Sequence, residues 1–240
     1  MEIPILLPRI FNYPLTYSSG SIDNLKPGQF VVVPFGKNQE LGVVWDKIQI
    51  TSKKIISMLP EDVFYINAGD GNHAHPTQAM LDVYTMKEKF DDLSTMKLTI
   101  LGDVNHSRVI PSQIELLKKY SCANINFVGP ESLISKKFSP SFSEISKNSL
   151  ADRDILFILR VQKERFKDDD GLDEAGFIKN FQVNNEFLKN SGFNGFLMHP
   201  GPMNIDAEIT REAANSENSL VLKQVENGLY LRTALLSLIL

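Results

Sequence analysis

The hydrophobic pattern changes character near residue 60. Before that point, short apolar or β-branched runs are separated by Pro, Gly and Ser, and no helical period is sustained. The runs lie at residues 3–7, 29–34 and 41–44. Several short strands close together predict a small barrel or a curled sheet. We assign this small all-β domain to residues 1–58.

From about residue 64, apolar runs of strand length alternate with helical patterns. We predict strands at residues 97–101, 124–128, 154–159 and 195–198, and helices at 81–89 and 112–120. The alternation predicts an α/β fold with a parallel sheet and crossover helices. We assign residues 64–240 to this domain and residues 59–63 to the junction.

A turn and a helix start are predicted at residues 67–78, which read NAGDGNHAHPTQ. Gly69 and Gly71 permit a sharp bend, and Pro76 suits the first turn of a helix. His75 and Gln78 would then lie where the helix dipole and unpaired backbone N–H groups favour an anionic or polarised ligand. A capped helix with a buried core histidine explains these residues equally well.

Polar residues follow the carboxyl ends of the predicted strands, where parallel sheets bind ligands. Arg160 and Gln162 share one side of an extended segment because side chains alternate along it. Since an arginine can grip a carboxylate through two hydrogen bonds, Arg108 and Arg160 together suit a substrate with two carboxylates. The alternatives are a salt bridge for Arg108 and a solvated loop for Arg160. The other polar residues at strand ends are Asp103, His199 and the turn Pro200-Gly201-Pro202.

Composition and charge exclude several classes of protein. The 240 residues are 42% hydrophobic and 22% charged, and the net charge of -4 gives no reason to expect a nucleic-acid binder. A single cysteine, Cys122, excludes an internal disulfide and a cysteine-rich metal site. No apolar run is long enough for a membrane span, and no secretory signal is present. We expect a cytoplasmic protein that binds no membrane, metal or cofactor.

Residues 64–240 resemble the aspartate-binding C-terminal half of aspartate carbamoyltransferase. The motifs occur in the family's order and read NAGDGNHAHPTQ, LGDVNHSRV, RVQKER, MHPGPMN and ENGLYLRTALLSLIL. The resemblance implies a transferase of pyrimidine biosynthesis that converts carbamoyl phosphate and L-aspartate to N-carbamoyl-L-aspartate and phosphate. The RVQKER and HPGP segments favour the aspartate enzyme over its ornithine relative.

The resemblance also implies roles for the candidate residues. His75 would bind the carbonyl oxygen of carbamoyl phosphate, and Gln78 its amide nitrogen. The residues that would hold aspartate or line the meeting point of the two substrates are Arg108, Arg160, Gln162, Pro200, Gly201 and Pro202.

The family's phosphate-binding features are not found in this sequence. No Ser-Thr-Arg-Thr string occurs, and residues 1–63 are too few for the carbamoyl phosphate half. Asn105 stands where the family often has lysine, and Ile205-Asp206 stand where many bacterial relatives have arginine-glycine. We therefore expect an incomplete enzyme, with weak or no turnover from this chain alone.

Residues 1–58 instead resemble the N-terminal domain of primosomal protein N′, the replication-restart helicase. The matching segments read PILLPRIFNYPLTY, LKPGQFVVVPFGKNQELGVVW and KKIISMLPE. The resemblance implies recognition of a DNA 3′ end, with Phe11, Asn12 and Tyr13 in the pocket motif and Lys54 at a following basic position. The family usually has aspartate where Asn12 stands, and both aromatic residues also suit the core of a β-sheet.

The chain therefore resembles two protein fragments that are fused near residues 59–64. The leading hypothesis is a truncated, aspartate carbamoyltransferase-related chain. The alternative is a non-enzymatic DNA 3′-end-binding module fused to an inactive passenger domain, and a third is an inactive globular fragment. The apolar residues 230–240 predict a helix that packs on the β domain, mediates homo-oligomer formation or binding of a complementing chain, or frays.

Overall fold

The structure is a computed structural model of the chain, and it divides into two compact units, Met1–Tyr65 and Ile66–Leu240. It describes the backbone of residues 2–6, 15–18, 30–35 and 38–44, and then residues 57, 59, 63–71, 73–134, 138–162 and 173–239. The residues predicted to bind DNA lie outside this described part of the chain: Phe11, Asn12, Tyr13 and Lys54.

The described strands of the first unit form one antiparallel sheet. They are β1 (Glu2–Leu6), β2 (Leu15–Ser18), β3 (Phe30–Phe35) and β4 (Asn38–Val44). Their order in the sheet is β2-β1-β4-β3, and each neighbouring pair is antiparallel. Three of them overlap the predicted runs, and β2 was not predicted.

The second unit is built on a five-stranded sheet in which every pair of neighbours is parallel. The order is β7-β6-β5-β8-β9. This confirms the α/β fold with a parallel sheet. The strands are β5 (Leu98–Gly102), β6 (Ile125–Val128), β7 (Ser141–Phe142), β8 (Ile155–Leu159) and β9 (Phe196–Met198).

The described part of the second unit also contains helices before, between and after these strands. They are α1 (Pro76–Lys87), α2 (Val109–Lys119), α3 (Glu174–Phe181), α4 (Asn185–Ser191), α5 (Arg211–Ala214) and α6 (Val221–Ile239), together with a short 3₁₀ helix at Glu131–Leu133. The last helix begins nine residues earlier than the apolar pattern predicted. Its first two turns contain the buried polar residues Gln224 and Asn227, which interrupt that pattern.

Two hydrophobic cores lie on opposite faces of the parallel sheet. In β8, Ile155, Phe157 and Leu159 pack into one core, whereas Leu156 and Ile158 pack into the other. Side chains alternate along a strand, so this pattern shows that β8 is buried on both faces. The first core includes side chains of α1 and α2, and the second includes side chains of α3 and α5.

Helix α6 leaves a set of large apolar side chains exposed. They are Leu222, Val225, Leu229, Tyr230, Leu236 and Leu238, and the exposed fraction reaches 82% at Leu238. The opposite side of the helix packs against α1. Within the described residues, no helix has both the length and the apolarity needed to cross a membrane.

Candidate functional site

All eight candidate residues of the second unit line one pocket. They come from four segments of the chain: the start of α1, the loop before α2, the end of β8 and the turn after β9. The pocket has a volume of about 110 Å³. Its lining consists of His75, Gln78, Arg108, Arg160, Gln162, Pro200, Gly201 and Pro202, with Ser107, Val109 and Leu159 between them.

The order of the strands explains why these segments meet. Strand β8 pairs in parallel with β5 on one side and with β9 on the other. The carboxyl ends of all three strands therefore reach the same edge of the sheet, and the segments that follow them lie side by side. Arg108 follows β5, Arg160 and Gln162 follow β8, and the turn from Pro200 follows β9.

The charges around the pocket favour an anion. Arg108 and Arg160 contribute two guanidinium groups, and none of the described lining residues carries a carboxylate. The first turn of α1, with no acidic side chain, begins at the pocket beside His75. Its helix dipole adds partial positive charge at this end. A ligand with more than one negative group would thus be favoured electrostatically.

His75 occupies the N-cap position of α1, and Pro76 follows in the first turn. Its backbone N–H donates to Ser112 Oγ at 3.1 Å, but its side chain makes no capping hydrogen bond. The position brings the imidazole to the pocket wall.

Arg108 passes directly over Gly69. A Cβ atom added at Gly69 would lie 2.9 Å from Arg108 Cζ, which is closer than real Cβ contacts allow. Gly69 also has a φ of 137°, in a region that side chains disfavour. The sequence predicted that Gly69 permits a sharp bend. It did not predict that Arg108 lies against Gly69.

Asp103 lies beneath the pocket instead of lining it. Its side chain is fully buried, and its Oδ2 accepts the backbone N–H of Gln162 at 3.0 Å. Its Oδ1 accepts the backbone N–H of His106 at 3.2 Å and lies 2.8 Å from His106 Nδ1. The Nε2 of Gln162 donates to the carbonyl oxygen of His106 at 3.2 Å. Asp103 thus fixes the segment that carries Arg160 and Gln162.

His199 also supports the pocket from below. Its Nδ1 accepts the backbone N–H of Gly201 at 2.9 Å, so Nε2 carries the proton and donates to Glu208 Oε1 at 3.2 Å. The same Glu208 oxygen accepts the backbone N–H of Asn204 at 2.6 Å. Both side chains are buried. This arrangement holds the turn in which Gly201 takes a φ of 67°.

Asp82 is a further residue that sequence reasoning missed. It lies one helical turn after Gln78 and accepts a hydrogen bond from the Gln78 side chain at 3.0 Å. The spacing of four residues on a helix was the available signal. Burial raises the pKa of the Asp82 carboxyl to about 7, against the lowering effects of Gln224, Gln78 and Arg232.

Among the described residues, no group of three or more His, Cys, Asp or Glu side chains is arranged to hold a metal ion. The pocket contains hydrogen-bond donors and positive charge, on segments that are held by the hydrogen bonds of Asp103 and His199. Such groups can bind carboxylates and polarise a carbonyl oxygen.

Two family models match the chain. The model for the aspartate/ornithine carbamoyltransferase Asp/Orn binding domain matches residues 94–239. The model for a 3′DNA-binding domain matches residues 2–65.

Curated relatives match most of the chain. It is 38% identical over 194 residues to an aspartate carbamoyltransferase catalytic subunit of Coxiella burnetii, a match that covers 79% of this chain and 61% of the relative. It is also 38% identical over 187 residues to such a subunit of Legionella pneumophila, with 77% and 62% covered. The chain thus spans about three fifths of the length of these relatives.

Solved structures share the fold. The catalytic subunit of M. jannaschii aspartate transcarbamoylase is similar with a TM-score of 0.57 and 28% identity, covering 70% of this chain and 56% of that one. An aspartate transcarbamoylase of Trypanosoma cruzi, in complex with aspartate and phosphate, is similar with a TM-score of 0.63 and 20% identity, covering 78% and 60%.

Proposed function

The chain belongs to the aspartate/ornithine carbamoyltransferase family, and from this premise we propose that its second unit is the aspartate-binding part of an aspartate carbamoyltransferase. The observation that supports this most is the joint placement of Arg108, Arg160 and Gln162 around one pocket with His75 and Gln78. We place this activity in pyrimidine biosynthesis and in the cytoplasm.

The pocket suits aspartate better than ornithine. The side chain of aspartate ends in a carboxylate, which Arg108 or Arg160 can bind through two hydrogen bonds. The side chain of ornithine ends in an ammonium group, which two guanidinium groups would repel. Since none of the described lining residues is acidic, the pocket offers no counter-charge for that ammonium group.

The proposed reaction needs positioning more than chemical activation. The amine nitrogen of aspartate bonds to the carbamoyl carbon, and the bond from that carbon to the phosphate oxygen breaks. The proton that the amine loses passes to the departing phosphate. His75 would stabilise the charge that develops on the carbonyl oxygen, and the Gln78 oxygen would accept an N–H of the carbamoyl amide. Arg108, Arg160 and Gln162 would hold aspartate in line for attack.

The proposal is tested by an assay of N-carbamoyl-L-aspartate formation at high concentrations of both substrates. The chain is expected to turn over weakly or not at all alone, and more rapidly when a separately produced carbamoyl phosphate-binding half of the Coxiella burnetii subunit is added. When the same half is added to the Arg160→Ala variant, the rate should not increase. Equal rates for wild type and Arg160→Ala in the presence of this half would count against the proposal.

A second candidate function applies to the first unit. The match of residues 2–65 to a 3′DNA-binding domain favours binding of a single-stranded DNA 3′ end. Fluorescence anisotropy with a short strand that ends in a 3′-hydroxyl or a 3′-phosphate tests this. Tighter binding of the 3′-hydroxyl strand, weakened by Tyr13→Ala and Lys54→Ala, is the expected result. Equal binding of both strands would remove this candidate.

A further inference from the structure

A series of buried hydrogen bonds connects the turn after β9 to Gln78 at the pocket wall. The backbone N–H of His199 donates to Gln224 Oε1 at 2.9 Å. The Nε2 of Gln224 donates to Asp82 Oδ1 at 2.7 Å, and the Nε2 of Gln78 donates to the same oxygen at 3.0 Å. All four residues are buried, with Gln78 the most exposed at 8%.

The direction of each hydrogen bond follows from the first. A backbone N–H can only donate, so the oxygen of the Gln224 carboxamide must face His199. The nitrogen of that carboxamide therefore faces Asp82, and Asp82 Oδ1 must act as an acceptor. When Asp82 is ionised its oxygens can only accept, so Gln78 also meets Oδ1 with its nitrogen. The oxygen of the Gln78 carboxamide is thereby turned away from Asp82.

We propose that Asp82 is a positioning residue that directs the carboxamide oxygen of Gln78 into the pocket, and that Gln224 holds Asp82 in place. The proposal rests on the proposed function, in which that oxygen accepts an N–H of the carbamoyl amide. Without Asp82, the Gln78 carboxamide could rotate so that its nitrogen faces the pocket in place of its oxygen. Its N–H groups would then face the N–H groups of the carbamoyl amide, and no hydrogen bond could form. Asp82 and Gln224 therefore set the preference of the pocket for a carbamoyl amide.

The arrangement holds when Asp82 is ionised, because both of its oxygens then only accept. Oδ2 has no hydrogen-bond partner among the described residues, so a protonated Asp82 keeps Oδ1 as an acceptor only if the proton resides on Oδ2. Burial raises the pKa of Asp82 to about 7, and the charged group that faces it is Arg232 on α6. An asparagine at position 82 would keep an oxygen acceptor and should preserve the orientation of Gln78.

Two ligands that share the aspartate part test the orientation of the Gln78 carboxamide independently of aspartate binding. N-carbamoyl-L-aspartate and N-acetyl-L-aspartate differ in one group. The carbamoyl compound has an NH₂ that can donate to Gln78, and the acetyl compound has a methyl group in its place that cannot. In titration calorimetry, the full chain should bind the carbamoyl compound about three- to tenfold more tightly, which is the size of one hydrogen bond. Asp82→Ala should remove this preference, and Asp82→Asn should retain it.

Gln224→Met provides a second variant in case Asp82→Ala does not fold. It leaves Asp82 and Gln78 in place but removes one of the two donors that hold the carboxyl, so the preference should fall in the same direction. If wild type shows no preference, or if neither Asp82→Ala nor Gln224→Met changes it, the inference is wrong. Failure of wild type to bind either compound or L-aspartate would instead overturn the proposed function.

Discussion

Gly69 allows Arg108 to reach the pocket because it has no side chain. The guanidinium group occupies the space in which a Cβ atom would lie, 2.9 Å from Arg108 Cζ. The end of an arginine side chain can move at little cost, so a side chain at position 69 would push Arg108 aside, in addition to straining the backbone at its φ of 137°. Gly69 therefore matters for binding beyond its effect on the backbone.

Gly69→Ala is expected to weaken binding of L-aspartate by about tenfold, the loss of a charge-assisted hydrogen bond. Titration calorimetry measures this directly. In an Arg108→Ala background, the same substitution should weaken the affinity much less, because only its strain on the backbone remains. If the losses of binding free energy in the two single variants add up in the double variant, Gly69 does not act through Arg108.

Glu208 stabilises the turn by accepting two hydrogen bonds in the interior, from the His199 side chain and the Asn204 backbone. Glu208→Ala leaves both donors buried without an acceptor and should lower the free energy of unfolding by about 2–4 kcal/mol. Glu208→Gln keeps an oxygen for both donors and should lower it by about 1 kcal/mol or less. Urea denaturation distinguishes the two, and equal losses would contradict this role.

Asp82 should make stability depend on pH. Burial raises its pKa from 3.8 in the unfolded chain to about 7 in the fold. Between these values the unfolded chain loses the proton while the folded one keeps it, so the contribution of Asp82 to stability is fully present below pH 4 and is lost as the pH rises to about 7. The contribution of this group should decrease by about 4 kcal/mol between pH 4 and 8.

Urea denaturation of wild type and Asp82→Asn at several pH values measures this effect. Asparagine does not titrate, so the free energy of unfolding of the variant relative to wild type should rise from pH 4 to pH 8. A constant difference across this range would show that Asp82 titrates normally in the fold.

At the level of single residues, the sequence predicted which side chains line the pocket but not which ones hold them there. Arg108, Arg160 and Gln162 could be named because they follow strand ends. The same rule also named Asp103 and His199, which are buried beneath the pocket instead of lining it. Gly69 and Gln224 act through contacts with residues distant in the sequence, and no local pattern signals such contacts.

At the level of secondary structure, helix α6 has apolar side chains that the described residues of the second unit leave exposed. Leu222 is 78% exposed and Leu229 is 67% exposed. Exposed side chains of this size make an apolar patch that should bind a fluorescent apolar dye.

Leu222→Lys combined with Leu229→Lys should reduce dye fluorescence without lowering the thermal midpoint, because neither side chain is in the core. Asn218→Lys, at an exposed polar position just before the helix, controls for the effect of one of the two added positive charges. Dye binding that is unchanged in the double variant would show that this face of α6 does not form the patch.

The sequence predicted the central elements better than the peripheral ones. Strands β5 and β8 are buried along their whole length and are mainly apolar, and β6 and β9 end in buried apolar residues, so all four could be recognised. Strand β7 is two residues long and exposed, so it has no pattern to recognise. The start of α6 was missed because buried polar side chains, such as Gln224 and Asn227, bond to α1 in the interior.

At the level of the whole molecule, the order of the strands is what turns scattered residues into a pocket. The predicted alternation of strands and helices implied a parallel sheet but not that β8 would lie between β5 and β9. That order depends on packing across the whole unit. It brings together residues 75–78, 107–109, 159–162 and 200–202, which lie far apart in the sequence.

Binding of L-aspartate to the full chain, measured by titration calorimetry, tests the central claim most directly. Wild type and Lys179→Ala, which removes an exposed lysine on α3, should bind it equally, and Arg160→Ala should bind it at least about tenfold more weakly. No binding by wild type, or equal affinity in all three chains, would contradict the assignment of this pocket to a dicarboxylate.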